Sequence, residues 1–380
     1  MHFLRPNKTW YAIATLSGSI IGIGIFGIPF VFAKAGFGLG LIFLALVSAA
    51  VAYGYLLYGE VILRTHERHQ FLGYVKKYLG PIWKWIALFK FWIGVFGVTV
   101  AALIINGNFL SQIFSFIGFD ISPTTAATGM LAIMSVIVYS GLRTVSRIDF
   151  VMMLVFFILV AMIAVFGFSQ IEAANYTLAT GNFIFLPFGV ILFAMMGIQG
   201  APLSREVLRG REKSFKKVIV IGTLIPVILY LVFAVAVVGV SGELTTPQAI
   251  SGLSYFLGNK IIFIGLLFGF FTSTTIFLSV LSSFQKTLWQ DFQIHKRLAF
   301  ILLLIPPYIL YRANVTNFIN IIELVGGIVG SLSMIILILM HTRAKHRGDR
   351  IPEYSIRAPR WLLYLLMAVF GSGAIYTLVI

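Results

Sequence analysis

The sequence contains no cysteine, and charged residues make up only 11% of its 380 residues. The absence of cysteine excludes disulfide bonds and thiolate chemistry, although it does not identify a redox compartment. So few charges, together with 59% hydrophobic residues and a mean hydropathy of +1.00, exclude the classes of soluble domain. The composition instead predicts a helical protein that crosses a membrane several times.

Acidic residues are scarce as well, since 12 Asp and Glu stand against 28 Lys and Arg, for a net charge of +16. If the N-terminus lies in the cytoplasm, 25 basic residues fall on the cytoplasmic side, and only Lys34, Lys260 and Arg312 fall outside. This bias is typical of a membrane protein. Because no loop is long enough to fold as a basic domain, a nucleic-acid-binding protein is excluded. The basic loops are expected to contact anionic lipid.

We assign eleven membrane spans from the hydrophobic runs. They cover residues 10–33, 39–63, 82–110, 122–140, 147–168, 185–208, 215–240, 257–286, 298–311, 316–341 and 360–380. This predicts an all-α protein of the cell membrane, with the N-terminus in the cytoplasm and the C-terminus outside. No short hydrophobic segment ends in a small-residue cleavage site, so the first span is expected to remain in the mature protein.

The first span contains many residues that disfavour a helix, between Ser17 and Pro29. Its four glycines each cost about 1 kcal/mol against alanine in a helix, and the proline removes a backbone donor. We therefore predict that the helix unwinds near Ile21 to Gly24. Backbone groups freed at this depth are tolerated only where protein or a water-filled cavity satisfies them. The break is thus a candidate site for a polar solute and a cation.

The sixth span repeats this pattern, because Gly197, Gly200 and Pro202 fall in its middle beside the amide Gln199. The second break starts about 175 residues after the first, which begins at Gly22. Interrupted spans at corresponding positions of two halves indicate an inverted-repeat transporter with a site at the midplane. We predict one transporter domain over residues 1–380. Its repeats cover about 10–168 and about 185–341, and an additional helix covers about 360–380.

The glycines of the first span also fit two different patterns. The stretch from Gly22 to Gly27 matches G-x-G-x-x-G, the dinucleotide-binding pattern, but that motif needs a preceding strand and a βαβ unit. No cofactor is therefore expected. The spacing of Gly18 and Gly22 is also typical of close helix packing. Packing accounts for those two glycines but not for Gly24, Gly27 and Pro29, which favours the break.

Three motifs resemble those of amino acid permeases. They are GSIIGIGIFGIP in the first span, LLYGEV at Leu56–Val61 and FAMMGIQGAPLSREV in the sixth span. The motifs are similar to those of the amino acid/auxin permease and aromatic amino acid permease families of the amino acid–polyamine–organocation (APC) superfamily. The resemblance implies a LeuT-type fold with a 5+5 inverted repeat and broken helices 1 and 6, here with one additional helix. It also implies a secondary transporter that moves amino acids with Na⁺ or H⁺ by alternating access.

The resemblance implies a substrate site at the main chain of the two breaks. The amides of Ile23 and Gly24 would face the substrate carboxylate, since a half-helix N-terminus suits an anion. The carbonyls of Ser19 and Ile20 would accept from its ammonium group, and Phe193 would cover the pocket. The full expected set of substrate-binding residues is Ser19, Ile20, Gly22, Ile23, Gly24, Phe193, Met196 and Gln199.

The resemblance also implies a cation site in Na⁺-coupled members, built from carbonyls of the first span and hydroxyls of the eighth. The corresponding positions are Gly18, Ile21, Thr274 and Thr275. Oxygen ligands suit a hard cation such as Na⁺, and no other metal is expected. The register of the eighth span leaves Thr272, Ser273 and Ser279 as alternatives. These hydroxyls could equally bond to their own helix one turn earlier.

The spans contain few ionisable residues, and each needs an explanation. A carboxylate such as Glu323, about two turns inside the tenth span, costs ~2.5–3.5 kcal/mol on insertion scales. It is either a proton carrier or a charge in an outer vestibule or at a misplaced span boundary. Glu60 is expected to pair with a neighbouring basic residue, and Lys90 to extend to the inner interface. By resemblance to related transporters, Arg5 and Asp291 would form an inner gate.

Two local features lie outside the spans or at their ends. The stretch from Phe71 to Gly80 places its apolar residues on one helical face and Lys76 and Lys77 on the other. It predicts a short interfacial helix between the second and third spans. Ser146 and Asp149 fit a capping box at the start of the fifth span.

The leading functional hypothesis is an importer of neutral amino acids, with aromatic or large apolar substrates favoured. A substrate with a neutral side chain is expected because neither break contains a charged residue. The alternatives are a polyamine or other organic-cation transporter of the same fold, a channel, or a transport-dead amino acid sensor. An enzyme would need clustered titratable groups or metal ligands, which the spans lack.

The coupling ion is either Na⁺ or H⁺. Some proton-driven relatives carry a lysine in the fifth span, and Phe150 to Phe168 contains none, which favours Na⁺. The resemblance to aromatic permeases, which are largely proton-driven, favours H⁺. The expected partners are an amino acid substrate and the lipid bilayer.

Overall fold

The computed structural model describes residues 8–140, 157–158, 160–181, 183–292 and 295–379. Within these ranges the chain is helical and contains no β-strand. In chain order the helices are α1 (Lys8–Ile20), α2 (Ile28–Ala35), α3 (Phe37–Leu63), α4 (Phe71–Leu79), α5 (Pro81–Phe116), α6 (Pro123–Ser140), α7 (Val160–Gln170), α8 (Leu186–Ala194), α9 (Gly200–Val207), α10 (Phe215–Ser241), α11 (Ser254–Leu257), α12 (Asn259–Phe292), α13 (Lys296–Arg312), α14 (Phe318–Leu324), α15 (Ser331–Arg347) and α16 (Arg360–Val379). A π-helix (Val325–Gly330) joins α14 to α15.

Five described helical segments are long and apolar enough to cross a membrane. They are α3, α5, α10 with its flanking 3₁₀ turns, the continuous α14–α15 segment, and α16. The bent pair α1–α2 adds a sixth if it is counted as one span. Shorter apolar helices occur in α6, α7 and α12. Since this count covers the described residues alone, the number eleven stays a prediction.

The first span is interrupted where its glycines are concentrated. α1 ends at Ile20, and a 3₁₀ helix (Ile23–Gly27) leads into α2. The two parts are bent by 52°. Gly22, between them, is extended, with φ −140° and ψ −169°. Pro29 lies in the first turn of α2, where its missing N–H costs nothing because that group would have no partner in the helix.

The sixth predicted span is interrupted in a similar way. α8 ends at Ala194, residues 195–199 are not helical, and α9 begins at Gly200. Pro202 again lies in the first turn of the second part. Both interruptions are buried, since Ile20, Ile23 and Ala194 are at most 2% exposed. The backbone groups that they release must therefore be satisfied inside the protein.

The two broken helices form the centre of the bundle. α1 packs against α9 and α10, and α8 packs against α2, α3 and the π-helix. α5 lies beside them and packs against α4, α6, α12 and α13. α16 packs on α15 and the π-helix and buries only Leu363 and Phe370. The C-terminal helix therefore lies at the periphery.

The short helix predicted between the second and third spans is α4. Its buried residues are Phe71, Leu72, Tyr74, Val75, Tyr78 and Leu79. They pack against α5 and α15, so α4 covers one end of the bundle. On its outer side, Lys77 Nζ lies 2.5 Å from Asp349 Oδ2. The hydrogen bond from Lys77 holds the pKa of Asp349 below its usual range.

Glu60 lies in the last turn of α3, within a buried polar network. Its expected ion pair with a neighbouring basic residue is confirmed. Its carboxylate is fully buried and lies 2.8 Å from an Arg64 nitrogen and 3.1 Å from His341 Nε2. It also accepts from Ser355 Oγ at 2.9 Å and from the Ile356 N–H at 2.7 Å. These contacts join α3 to α15 and to the segment that leads to α16.

Arg205 in α9 caps the end of α3. It is 6% exposed, and its guanidinium donates to the carbonyls of Ile62 at 2.6 Å and Thr65 at 3.0 Å. The last carbonyls of a helix have no partner within it. Arg205 therefore ties the second half of the sixth span to the second span.

Replacing Arg205 by methionine should destabilise the protein, because it leaves two buried carbonyls without these donors at about 1–3 kcal/mol each. The melting temperature of the purified protein in detergent should fall clearly. Arg209→Met is a matched control, since Arg209 lies one turn later and is exposed. Equal melting temperatures for the two variants would contradict the capping role.

Candidate functional site

A cavity of about 140 Å³ lies between the two breaks. The residues predicted from the sequence to bind substrate all line it. They are Ser19, Ile20, Gly22, Ile23, Gly24, Phe193, Met196 and Gln199. The fold thus brings the main chain of both interruptions to the wall of one hollow.

The other walls come from elements that sequence reasoning did not assign to the site. They are Phe71 of α4, Lys90, Phe91, Gly94, Val95 and Val98 of α5, Val280 of α12, and Val325, Val329 and Gly330 of the π-helix. Most of these side chains are apolar. A cavity with apolar walls and a few polar groups at one place is typical of a small-molecule site. In the sequence, the glycine-rich run after Glu323 was the feature that could have indicated the π-helix wall of the cavity.

The start of the 3₁₀ helix supplies main-chain donors to the cavity. Ile23 and Gly24 are its first residues, and both line the cavity. The first N–H groups of a helix have no partner within it and carry the positive end of its dipole. These two amides can therefore bind an anionic group.

Tyr230 of α10 binds the ends of both half-helices that precede the breaks. Its hydroxyl lies 3.0 Å from the carbonyl oxygen of Ile20 and 2.8 Å from that of Ala194. Tyr230 is fully buried. The hydroxyl has one hydrogen, which these two carbonyls share, and each carbonyl oxygen keeps a second lone pair. The carbonyl of Ile20, expected to accept from a substrate, therefore retains that capacity.

Tyr55 of α3 has the corresponding role at the second break. Its hydroxyl accepts from the Gly197 N–H at 2.6 Å and donates to the Met195 carbonyl at 3.3 Å. Tyr55 is also fully buried. One hydroxyl therefore satisfies a donor and an acceptor released by the interruption of the sixth span.

The two tyrosines are related by the spacing of the breaks. Tyr55 and Tyr230 lie 175 residues apart, and so do their carbonyl partners Ile20 and Met195. Tyr55, from the first half of the chain, binds the break in the second half. Tyr230, from the second half, binds the break in the first.

The sequence model of the tryptophan/tyrosine permease family matches residues 5–377. The chain belongs to this family. The expected resemblance to amino acid permeases is thereby confirmed. A permease with several apolar helices long enough to cross a membrane is a multi-pass membrane protein.

Individual relatives agree with this membership. The permease is 22% identical over 280 residues to Glutamine transporter 2 of Aliivibrio fischeri, covering 72% of each chain. It is 24% identical over 244 residues to Tyrosine-specific transport system 2 of Haemophilus influenzae, covering 63% of this chain and 60% of that one. These relatives are transporters, so the expectation that the chain is not an enzyme is confirmed.

The fold is similar to that of MhsT in its crystal structure in complex with L-phenylalanine. The TM-score is 0.63 at 14% sequence identity, and the match covers 97% of each chain. The expected all-helical, LeuT-type fold is therefore confirmed.

Close packing explains more of the permease's glycines than the sequence suggested. A Cβ at Gly24 would lie 2.7 Å from Ala194 Cα, and a Cβ at Gly27 would lie 2.5 Å from Ile322 Cδ1. The Gly24 position lacks room for a side chain because its neighbour is backbone, whereas the neighbour of Gly27 is the end of a flexible side chain. The interpretation that packing does not account for Gly24 is therefore wrong, since this glycine lets the two broken helices touch.

Three of the residues predicted to bind a cation, Gly18, Ile21 and Thr274, are not among the described residues that line the cavity. The side chains of Thr275 and Ser279 lie outside the described part of the chain. The cation site therefore stays a prediction.

The hydroxyls of α12 contact a residue that sequence reasoning missed. Ser273 Oγ lies 2.5 Å and Thr274 Oγ1 3.3 Å from Asn106 Oδ1 of α5. Ser273 also contacts the Gly269 carbonyl of its own helix at 2.8 Å, as the alternative interpretation expected. Asn106 is fully buried, and within the described residues its Nδ2 has no hydrogen-bond partner. An amide side chain inside the third span was the available signal.

Glu323 lies in α14 against α8. A Cβ at Gly189 would approach the Glu323 carbonyl oxygen to 2.6 Å. Glu323 does not line the cavity, and its two interpretations both stay predictions. Four further residues with predicted roles lie outside the described residues or side chains: Arg5, Ser146, Asp149 and Asp291.

Lys90 does not extend to the interface, so that expectation is wrong. It is 3% exposed and lines the cavity, with its Nζ 2.5 Å from Ser333 Oγ. The reason is tertiary, because α4 covers this part of α5 and places the Phe71 ring centroid 4.5 Å from Nζ. The breaks carry no charge, but the cavity between them includes a basic side chain.

Tyr55→Phe and Tyr230→Phe should each destabilise the permease by about 1–3 kcal/mol, because each leaves buried main-chain groups of a break without a partner. Both should also slow exchange of substrate, since the breaks line the cavity. The measurements are the melting temperature in detergent and exchange in proteoliposomes.

Tyr58→Phe is the matched control for these variants. Tyr58 lies in α3 one turn after Tyr55 and is fully buried, and its hydroxyl has no hydrogen-bond partner among the described residues. Its loss should leave the melting temperature unchanged or slightly raised. If Tyr55→Phe behaved like Tyr58→Phe, the satisfaction of the break by Tyr55 would be refuted.

Gly24→Ala should separate the two broken helices, because its Cβ would overlap the backbone of Ala194, and overpacking costs typically 1–3 kcal/mol. Binding of a labelled amino acid to the purified permease should be lost or strongly reduced. Gly129→Ala on α6 is the control, since a Cβ there meets nothing within 4 Å. It should be neutral or stabilising, and a similar loss of binding in both variants would argue against the close contact.

Proposed function

We propose that the protein is a secondary active transporter that imports neutral amino acids, aromatic and large apolar ones among them, with Na⁺ or H⁺. The observation that carries this proposal is the cavity lined by the main chain of both breaks. An amino acid brings a carboxylate and an ammonium group, and the breaks offer helix-start amides and carbonyls to them. No charged side chain is needed to hold either group.

The cavity walls support an apolar side chain on the substrate. Valines of α5, α12 and the π-helix and the rings of Phe71, Phe91 and Phe193 line it. The names of the relatives include tyrosine and glutamine, and MhsT was crystallised with L-phenylalanine. A polyamine or other organic cation is disfavoured, because the described residues of the cavity lining include Lys90 and no carboxylate.

Alternating access would use the two halves of the chain as inverted repeats, over about 10–168 and 185–341. Tyr55 of the first half binds the break in the second half, and Tyr230 of the second half binds the break in the first. This reciprocal arrangement supports the division into two repeats. A rocking movement of one half against the other would then change both breaks together. The N-terminus would lie in the cytoplasm, as the basic residues favour.

Two sets of residues support the two candidate coupling ions. The hydroxyls of Ser273 and Thr274 with Asn106 Oδ1 collect oxygen atoms near one point of α12, which suits Na⁺. Lys90 in the cavity wall and Glu323 in α14 offer titratable groups, which suit H⁺.

Counterflow in proteoliposomes tests the transport function. Vesicles that contain the purified protein are loaded with unlabelled amino acid, and labelled L-tyrosine, L-tryptophan, L-phenylalanine, L-glutamine or putrescine is added outside. A carrier of neutral amino acids should accumulate one or more of the four amino acids transiently and should not accumulate putrescine. Replacing Na⁺ by choline at fixed pH, and then varying the pH, identifies the coupling ion.

Protein-free liposomes and vesicles with the Gly24→Ala protein serve as controls. Dissipation of a gradient without counterflow would mean a channel, and binding without any flux would mean a sensor. Either result, or exchange of putrescine alone, would refute the proposed function.

A further inference from the structure

Lys90 lies where the cavity, α4 and the π-helix meet. Its Nζ is 2.5 Å from Ser333 Oγ, and Ser333 donates to the Val329 carbonyl at 2.5 Å. Because the Ser333 hydroxyl hydrogen is used in that bond, its oxygen accepts from Lys90. The amine is thus linked through one hydroxyl to the π-helix wall of the cavity, which Val329 also lines.

Within the described residues, no carboxylate forms an ion pair with Lys90. An ammonium ion in an apolar surrounding without a counter-ion is costly. Its charge therefore depends on what else occupies the cavity. The substrate carboxylate of the proposed function is a counter-ion that arrives and leaves during transport.

The titratable side chains on the helices around Lys90 contact residues other than Lys90. His341 of α15 contacts Glu60, Lys77 of α4 pairs with Asp349, Tyr78 of α4 contacts Thr65, and Glu323 of α14 packs on Gly189. The side chains of Lys286 and Asp291 on α12 lie outside the described residues. Of the groups that the structure describes, Ser333 and the rings of Phe71 and Phe91 contact the amine.

We propose that Lys90 carries a proton that crosses the membrane together with the substrate. This inference rests on the proposed function and deepens it by naming the coupling ion and its carrier. The amine takes a proton from water on the outer side as the substrate carboxylate enters, and the two charges compensate each other. When the substrate leaves, the ammonium gives its proton to cytoplasmic water, and the empty carrier returns with a neutral lysine.

α4 is placed to connect proton release with opening. Phe71 is 4% exposed, and its ring lies over the amine at 4.5 Å from the centroid, a contact that stabilises the ammonium form. α4 has nine residues and is joined to α5 by Gly80 alone. A movement of α4 would remove the ring and admit water to Lys90 in one step.

The experiment uses purified full-length protein in proteoliposomes with a pH-sensitive dye inside. The probe is whichever of labelled L-tyrosine, L-tryptophan, L-phenylalanine or L-glutamine shows counterflow. Addition of the probe should acidify the lumen of wild-type vesicles, and a pH gradient, acidic outside, should drive its accumulation. Lys90→Met should lose the acidification and the accumulation by a much larger factor than it loses exchange.

Further variants distinguish proton coupling by Lys90 from a purely structural role of its hydrogen bond between α5 and α15. Lys90→Arg keeps a charge that cannot be released, so any net uptake that it retains should move no protons. Lys90→Gln keeps a hydrogen-bond donor without a titratable charge, and it replaces the methionine variant if that protein is unstable. Lys76→Met, an exposed lysine of α4, should behave like the wild type.

Two results would overturn the inference alone. One is accumulation by Lys90→Met or Lys90→Gln in a pH gradient at the wild-type level. The other is net uptake of the probe by the wild type that moves no protons into the lumen. Failure of the wild type to exchange any probe would instead refute the proposed function, and this inference with it.

Discussion

The need to satisfy backbone groups inside a membrane governs this structure. A helix interrupted at mid-span releases donors and acceptors that lipid cannot satisfy. Here two buried hydroxyls meet that need, because Tyr230 shares its one hydroxyl hydrogen between the carbonyls of Ile20 and Ala194, and Tyr55 binds both sides of the second break. With these tyrosines in place, the interruptions can line a cavity without unravelling.

The two interruptions also hold each other in position. The Gly24 backbone approaches Ala194 with no room for a side chain, and a Cβ at Gly197 would lie 2.7 Å from the Ser19 carbonyl oxygen. Since each break is completed by a tyrosine from the other half, neither half can shift alone without breaking hydrogen bonds of both. This mutual dependence gives a physical reason for the two breaks to change together in the proposed alternating-access mechanism.

Charged and polar residues are few in the described spans, and each has a definable task. Glu60 and Arg205 join helix ends at the side of the bundle that α4 covers. Lys90 differs from them because it has no oppositely charged partner among the described residues and lines the cavity. A chain with 11% charged residues keeps such a group at a cost, which is why Lys90 stands out once its position is known.

The sequence alone determined the membrane class and the positions of both breaks, because hydropathy and the local cost of glycine and proline are properties of short stretches. The resemblance of its motifs to those of amino acid permeases implied the eight residues that line the cavity. The sequence also located α4 from its periodicity. Only the tertiary structure decided that α5, α4, α12 and the π-helix form the remaining walls, that Tyr55 and Tyr230 complete the breaks, that Gly24 is a packing position, and that Lys90 is buried. Each of these depends on which distant segment covers a residue, and that contact is not encoded in the residue's own neighbourhood along the chain.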